Sequence, residues 1–259
     1  MGFRARSMAT FDFTQRLRLR RAQWNQAPSW RTRLASKLAS KRFAAQCGVP
    51  VPSLYWVGND EGKAPAVSLP RDFVIKPLYG HSGIGVIPVA NGINNLTGRP
   101  FTWGEAQAAI KRKARVLIEE YIPTADGRLD VVETFKVFVF DDQCVIRVNF
   151  DHFDRQLGTM ETQWHSFFTE DWELINEPIS TYAPCGGFRP APEKLTELLE
   201  YARRLGRAYG TFVRVDFYVS PHAVVFGEFC PFPWNGKHFT RFGDEYFGML
   251  WEKNLRNAI

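Results

Sequence analysis

"RVDFYVSPHAVVFGEFC", residues 214–230, reads as two strands joined by a turn: valine, phenylalanine and tyrosine fill both ends, and Ser220, Pro221, His222 and Ala223 interrupt them. Pairing Ser220 with Val224 around a short loop sets Asp216 opposite Glu228 and Arg214 opposite Cys230, all four on one face. Two carboxylates held face to face repel unless a cation lies between them or one keeps a proton. The pair therefore predicts either a metal ion between the acids or a hairpin face ion-paired to Arg214.

Working outward, the chain of 259 residues is 45% hydrophobic and 15% aromatic, enough to bury one large domain or two lobes. It lacks a run of eighteen apolar residues and an uninterrupted apolar segment near its start, so neither a membrane span nor export is expected, and a cytoplasmic location is. Cys47, Cys144, Cys185 and Cys230 show no CxxC spacing and are expected as free thiols. The net charge of +6 is uneven: residues 1–33 hold eight arginines against Asp12. That basic arm, "RLRLRRAQW" at its centre, suits an anionic membrane surface or an acidic glycan, or is a surface helix with solvated arginines. Nucleic acid ranks last, because no reader module follows the arm.

Residues 32–47 have helical spacing and stop at Gly48. Strands are expected at "DFVIKPLYG" (72–80), after the glycine-rich turn "GHSGIG" (80–85) and at "ARVLIEEYIP" (114–123), with a short helix at 100–113 between. Residues 131–150 read as a hairpin with Asp141 and Asp142 at its tip, and Leu195, Leu198, Ala202, Leu205 and Tyr209 form one helical stripe. Helices interspersed with hairpins give an α+β class. Within it, Lys76 sits in an otherwise apolar strand four residues before the glycines; a lysine and a flexible glycine loop suit a polyphosphate. Alone the loop is weak evidence, since it lacks the Gly-Lys-Ser/Thr ending of a Walker loop.

In order, Lys37 in "SKLASK", "GVPVP", Lys76 in "FVIKP", "GHSGIG", "LIEEYI", "RVDFY" and "GEFCPFP" resemble the ATP-grasp superfamily, and "NFDHFDR", "EDWELI", "ARRLGRAYGTFVRVDFYV" and "FGEFCPFPWNG" are similar to its TupA-like branch. The resemblance implies an α+β ATP-grasp fold: a basic arm (1–33), a lobe with the lysines and glycine loop (34–122), and a lobe with the metal and substrate sites (123–259). It implies ATP held by Lys37 and Lys76, by Ser82, Gly83 and Gly85, and at the adenine edge by Glu119 and the backbone of Glu120, Tyr121 and Ile122. Glu133, with Asp130 close behind, would hold the ribose. Asp216 and Glu228 would hold one or two Mg²⁺ ions, Arg214 would face the transferred phosphate, and Arg155, beside Asp151 and His152, would hold an anionic acceptor.

The expected reaction is carboxylate–amine ligation through an acyl phosphate, in bacterial surface polysaccharide or polymer synthesis, at the cytoplasm or the inner membrane surface. A kinase acting on a glycan or lipid-linked sugar hydroxyl, and a non-catalytic binder of anionic polymers with a degenerate ATP site, are the rival readings. Lys41, one helical turn from Lys37, competes with it as the phosphate lysine. Cys230 stands where the family pattern has threonine or asparagine; sulfur suits magnesium poorly, so either Asn235, water or a bidentate Glu228 fills in or metal binding is weakened. His81 is a polar loop residue with a minor claim on phosphate. Trp164, His165 and Trp172 are expected to pack.

Overall fold

The computed structural model describes residues 12–59, 67–80, 83–109, 115–124, 127–129, 134–154 and 159–254, excepting the side chains of 59, 107, 109, 151–154 and 159–163. In chain order its elements are α1 (Phe13–Gln26), a 3-10 turn (Trp30–Ala35), α2 (Lys37–Gln46), β1 (Leu54–Asn59), β2 (Phe73–Pro77), β3 (Ile87–Ala90), β4 (Ile93–Asn94) and β5 (Arg99–Pro100). There follow α3 (Trp103–Ala109), β6 (Arg115–Glu120), β7 (Thr134–Phe140), β8 (Gln143–Asp154), β9 (Thr159–Phe168), α4 (Leu195–Tyr209), β10 (Val213–Val219), β11 (Val224–Cys230), a 3-10 turn (Pro233–Gly236) and α5 (Arg241–Asn254).

All named strand pairs are antiparallel and form two sheets, ordered β1-β6-β2-β3-β4-β5 and β11-β10-β7-β8-β9. The first sheet closes on Phe73, Ile75, Ile87, Val89, Val116 and Ile118, with Trp103 of α3 stacked on Phe73. The second is covered on both faces. One face puts Val137, Val139, Ile146, Val215 and Phe217 against Leu198, Ala202, Leu205 and Tyr209 of α4, the stripe anticipated from spacing. Gly210, at φ 74°, ends α4 in the left-handed conformation that glycine adopts without a Cβ clash. The opposite face puts Phe138, Phe140 and Phe167 against Phe13 and Leu17 of α1 and Phe247 and Trp251 of α5.

The basic segment is therefore not a separate arm from residue 12 onward. Asp12 caps α1 by accepting from the Gln15 N–H at 2.7 Å, and Phe13 and Leu17 are fully buried, each worth roughly 1.5–3 kcal/mol. Arg20 is 2% exposed: it donates to the carbonyls of Phe212 and Pro231 and lies among the rings of Trp24, Phe212, Phe232 and Trp251. Burial brings its pKa down to about 10. Arg18, Arg21 and Arg33 are the exposed arginines of the segment among the described residues, Arg21 donating to Asn235. The lobe boundary at residue 34 shifts too, because Leu34, Ala44 and Val49 belong to the core of the second sheet. The helix expected from residue 32 begins at Lys37, where the Ser36 hydroxyl accepts from the Ala39 N–H, and residues 30–35 form the tighter turn.

Candidate active site

The 214–230 hairpin brings Asp216 opposite Glu228 and Arg214 opposite Cys230. It reaches that register by a different route. Val219, not Ser220, pairs with Val224, so the loop is one residue longer at its start; a bulge at Gly227 then restores the offset. The bulge needs glycine for space, since a Cβ there would lie 2.9 Å from the Asp216 carbonyl oxygen. Arg214 answers the repulsion between the acids. Its Nε and Nη2 donate to the two oxygens of Asp216 at 2.6 and 2.8 Å, and Nη2 lies 3.8 Å from Glu228 Oε1. Burial opposes the guanidinium charge, but Asp216 and then the Cys230 thiol and Glu228 outweigh it and raise its pKa. Asp216 is 4% exposed, whereas the Glu228 side chain is 37% exposed.

The lysines converge from the other side. Lys76, on β2, donates to Glu119 Oε1 at 2.6 Å and to the Tyr218 hydroxyl of β10 at 3.2 Å, so one ammonium group touches both sheets. Lys41, on α2, lies 3.2 Å from Glu119 Oε2 and 3.4 Å from the carbonyl of the bulged Gly227. Burial alone would raise the Glu119 pKa; Lys76 and Lys41 overcome it and hold the carboxyl below its usual value. Burial lowers Lys41, partly offset by Glu119, while at Lys76 the opposing pull of Glu119 and Tyr218 wins and raises it. Lys37, half-buried, donates to the Gly80 carbonyl at 2.9 Å, which ties the start of α2 to the glycine turn; burial lowers its pKa, an effect Glu228 only partly offsets.

Glu119, expected at the adenine edge, carries no exposed surface and is held by two lysines. At Glu120 the backbone N–H donates to Ser53 O and the carboxylate accepts from Ser53 N, while Tyr121 and Ile122 are buried. Gly83 and Gly85 have φ of 70° and 73°, with the Val86 N–H donating to Gly83 O. Ser82, His81, Glu133, Asp130 and Arg155 lie outside the described residues, as do the side chains of Asp151 and His152. Asn235 does not reach toward the acids: its Oδ1 accepts from Arg21 on α1, and Trp234 and Asn235 turn at φ 48° and 57°. Cys230 is a free thiol beside Arg214 whose pKa burial raises. Trp172 stacks on Phe168 and buried His165 stacks on Tyr182 and Trp234, as expected of packing residues; Trp164 is 42% exposed. Sequence reasoning missed Tyr218, two residues past Asp216 on the same face, and the buried role of Lys41.

The donor set fits a hard cation. Among the described residues no three His, Cys, Asp or Glu side chains cluster as a metal site; an ion held here would have the two facing carboxylates Asp216 and Glu228, the first of them also engaged by Arg214. Magnesium binds in that manner, through one or two carboxylates with water and phosphate oxygens completing its shell. A surface groove of about 560 Å³ lined by Trp30, Arg33, Arg42, Phe43 and Tyr79 shares none of these side chains. No described helix is long and apolar enough to cross a membrane.

The sequence matches the family described as TupA-like ATPgrasp over residues 15–252. No curated protein matches it. Solved structures similar to it include the D-alanine–D-alanine ligases of Helicobacter pylori (17% identity, 87% of this chain and 59% of that one, TM-score 0.48) and Bacillus anthracis (14%, 87% and 67%, 0.49). N5-carboxyaminoimidazole ribonucleotide synthetase of Thermotoga maritima is another (15%, 90% and 56%, 0.46). This chain spans 59% of the length of the first.

Proposed function

We propose, for a chain that belongs to the TupA-like ATP-grasp family, an ATP- and magnesium-dependent ligase that joins a carboxylate to an amine in the synthesis of a bacterial surface polymer. The observation that carries this reading is the meeting of two opposite charge sets. Lys41 and Lys76 close on Glu119, Asp216 and Glu228 gather around Arg214, Lys37 feels Glu228 ahead of Glu119, and Lys76 spans to Tyr218 between the two sets. A polyphosphate with its divalent ion has the complementary pattern.

In the proposed reaction Lys76 and Lys37 bind the phosphates, with Glu119 and Lys41 aiming Lys76. Glycines 83 and 85 fold their N–H groups over the same oxygens. Asp216 and Glu228 would hold Mg²⁺, which supplies charge neutralisation on the phosphates when bound. The substrate carboxylate needs no base: one of its oxygens attacks the γ-phosphorus and ADP leaves, giving an acyl phosphate. An amine then attacks the carbonyl carbon, loses a proton, and inorganic phosphate leaves. Arg214, fixed by Asp216, stabilises the oxyanion of that second step.

Incubation with ATP, magnesium and panels of uronic acids, amino acids and amines, read by mass spectrometry, tests this. The expected products are ADP, phosphate and an amide. Phosphate retained on an acceptor hydroxyl with no amide would make the protein a kinase, and nucleotide binding without turnover of any acceptor would favour a polymer-binding role.

A further inference from the structure

Helix α2 has two working faces. Lys37 and Lys41, one turn apart, reach Gly80 and Glu119. Arg42 and Phe43 lie to the other side and, with Trp30 and Arg33 of the preceding turn and Tyr79 just beyond β2, line the groove of about 560 Å³. Its walls are held in place. Trp30 lies 5.4 Å from the Phe43 ring and 6.1 Å from that of Tyr209, with the Arg31 guanidinium 4.9 Å from its own ring, and it still exposes 44% of its surface. Tyr79 is 64% exposed, yet its backbone is pinned to α2 on both sides: the Lys37 N–H donates to the Leu78 carbonyl at 3.0 Å and Lys37 Nζ to that of Gly80 at 2.9 Å. Arg33 and Arg42 are exposed, and among the described residues neither guanidinium has a hydrogen-bond or ion-pair partner. The groove lining holds no carboxylate, and no acidic residue occurs between Phe13 and Asn59.

We propose that this groove binds an acidic glycan, the rings of Trp30 and Tyr79 packing on the apolar CH faces of its sugars and the forks of Arg33 and Arg42 taking its carboxylates. Aromatic rings bring large apolar area with a fixed orientation, and a guanidinium matches a carboxylate with two parallel hydrogen bonds. A flat bilayer does not fill a concave groove, and a nucleic-acid strand presents a run of phosphates for which two cations are too few. Tyr79 joins the groove to the glycine turn, so a bound chain is anchored beside the phosphate lysines and not among them. That the reacting carboxylate belongs to the same polymer rests on the ligase reading; the glycan binding does not.

Isothermal titration of the full chain with tetragalacturonate and with its methyl ester, which keeps the sugar rings and removes their charge, tests it. The acid should bind at least about tenfold tighter than the ester, the scale of one charge-assisted contact. Arg33→Gln combined with Arg42→Gln should erase that preference, and Tyr79→Ala should weaken both ligands about threefold or more. These variants should bind the non-hydrolysable analogue AMP-PNP with magnesium within about twofold of wild type; a larger loss would assign the groove to the nucleotide site and overturn the proposal. A protein that binds no nucleotide yet prefers the acid would sink the ligase reading and leave the groove standing. Lack of saturable tetragalacturonate binding, an ester bound as tightly as the acid, or a preference that survives the double substitution would overturn the groove's role. Tighter binding of an oligothymidylate or of phosphatidylglycerol vesicles through the same two arginines would overturn the glycan as its occupant.

Discussion

Glu119 and Glu228 are two glutamates that both act on the Tyr218 hydroxyl, in opposite circumstances. Glu119 is sealed, each oxygen facing an ammonium group, and Lys41 and Lys76 together outnumber it. Glu228 is 37% exposed at its side chain, 3.8 Å from a guanidinium that Asp216 already engages at 2.6 Å. The first set is closed on itself with positive charge in excess; the second is open with negative charge in excess. A saturated buried acid sets geometry, and an acid with spare capacity is available to a ligand.

The largest effect should come from breaking the closed set. Glu119→Ala leaves Lys41 and Lys76 buried without their counter-ion and should cost about 3–5 kcal/mol, read from the denaturant midpoint. Loss below about 1 kcal/mol would mean that the triad is not the anchor described. Next, Lys76→Met should weaken ATP binding by roughly 10–100-fold, the scale of a lost charge-assisted contact, and unchanged affinity would remove Lys76 from the phosphate site. The contrast sharpens at the open acid: Glu228→Gln should change stability by no more than about 0.5 kcal/mol while abolishing magnesium-dependent turnover.

A smaller effect concerns pH. The folded pKa of His165, about 3, lies below its ordinary 6.5, so the unfolded chain takes up this proton first as pH falls. Stability should decline as pH drops below 6.5, and His165→Gln should flatten that slope between about pH 6.5 and 5 in denaturant titrations. Equal slopes would mean that the imidazole is protonated in the folded protein.

Much of this contrast was legible in the chain, for reasons that differ by residue. Asp216 and Glu228 were placed opposite each other because strand alternation has a period of two, although the expected loop was one residue short and the bulge at Gly227 compensated for it. Periodicity also found α4, since its apolar stripe is unbroken. What alternation does not encode is the partner a charged group selects across the fold. Glu119, in "LIEEYI", looked like a hinge acid, and only the packing of α2 brings Lys41 to it across 78 positions of sequence. Arg20 looked solvated for the same reason: four aromatic rings from distant segments enclose it. Strand β9 was missed because "TMETQWHSFF" mixes polar and aromatic residues without clean alternation.

The central claim is that ATP spans the closed and open sets with a divalent ion at the open one. Calorimetric titration of ATP into wild type and Glu228→Gln, with and without magnesium, tests it most directly. Wild type should bind ATP at least about tenfold tighter with the ion, and the variant should keep the ion-free affinity and lose that gain. Equal affinities with and without magnesium in the wild type, or a gain retained in Glu228→Gln, would contradict the account.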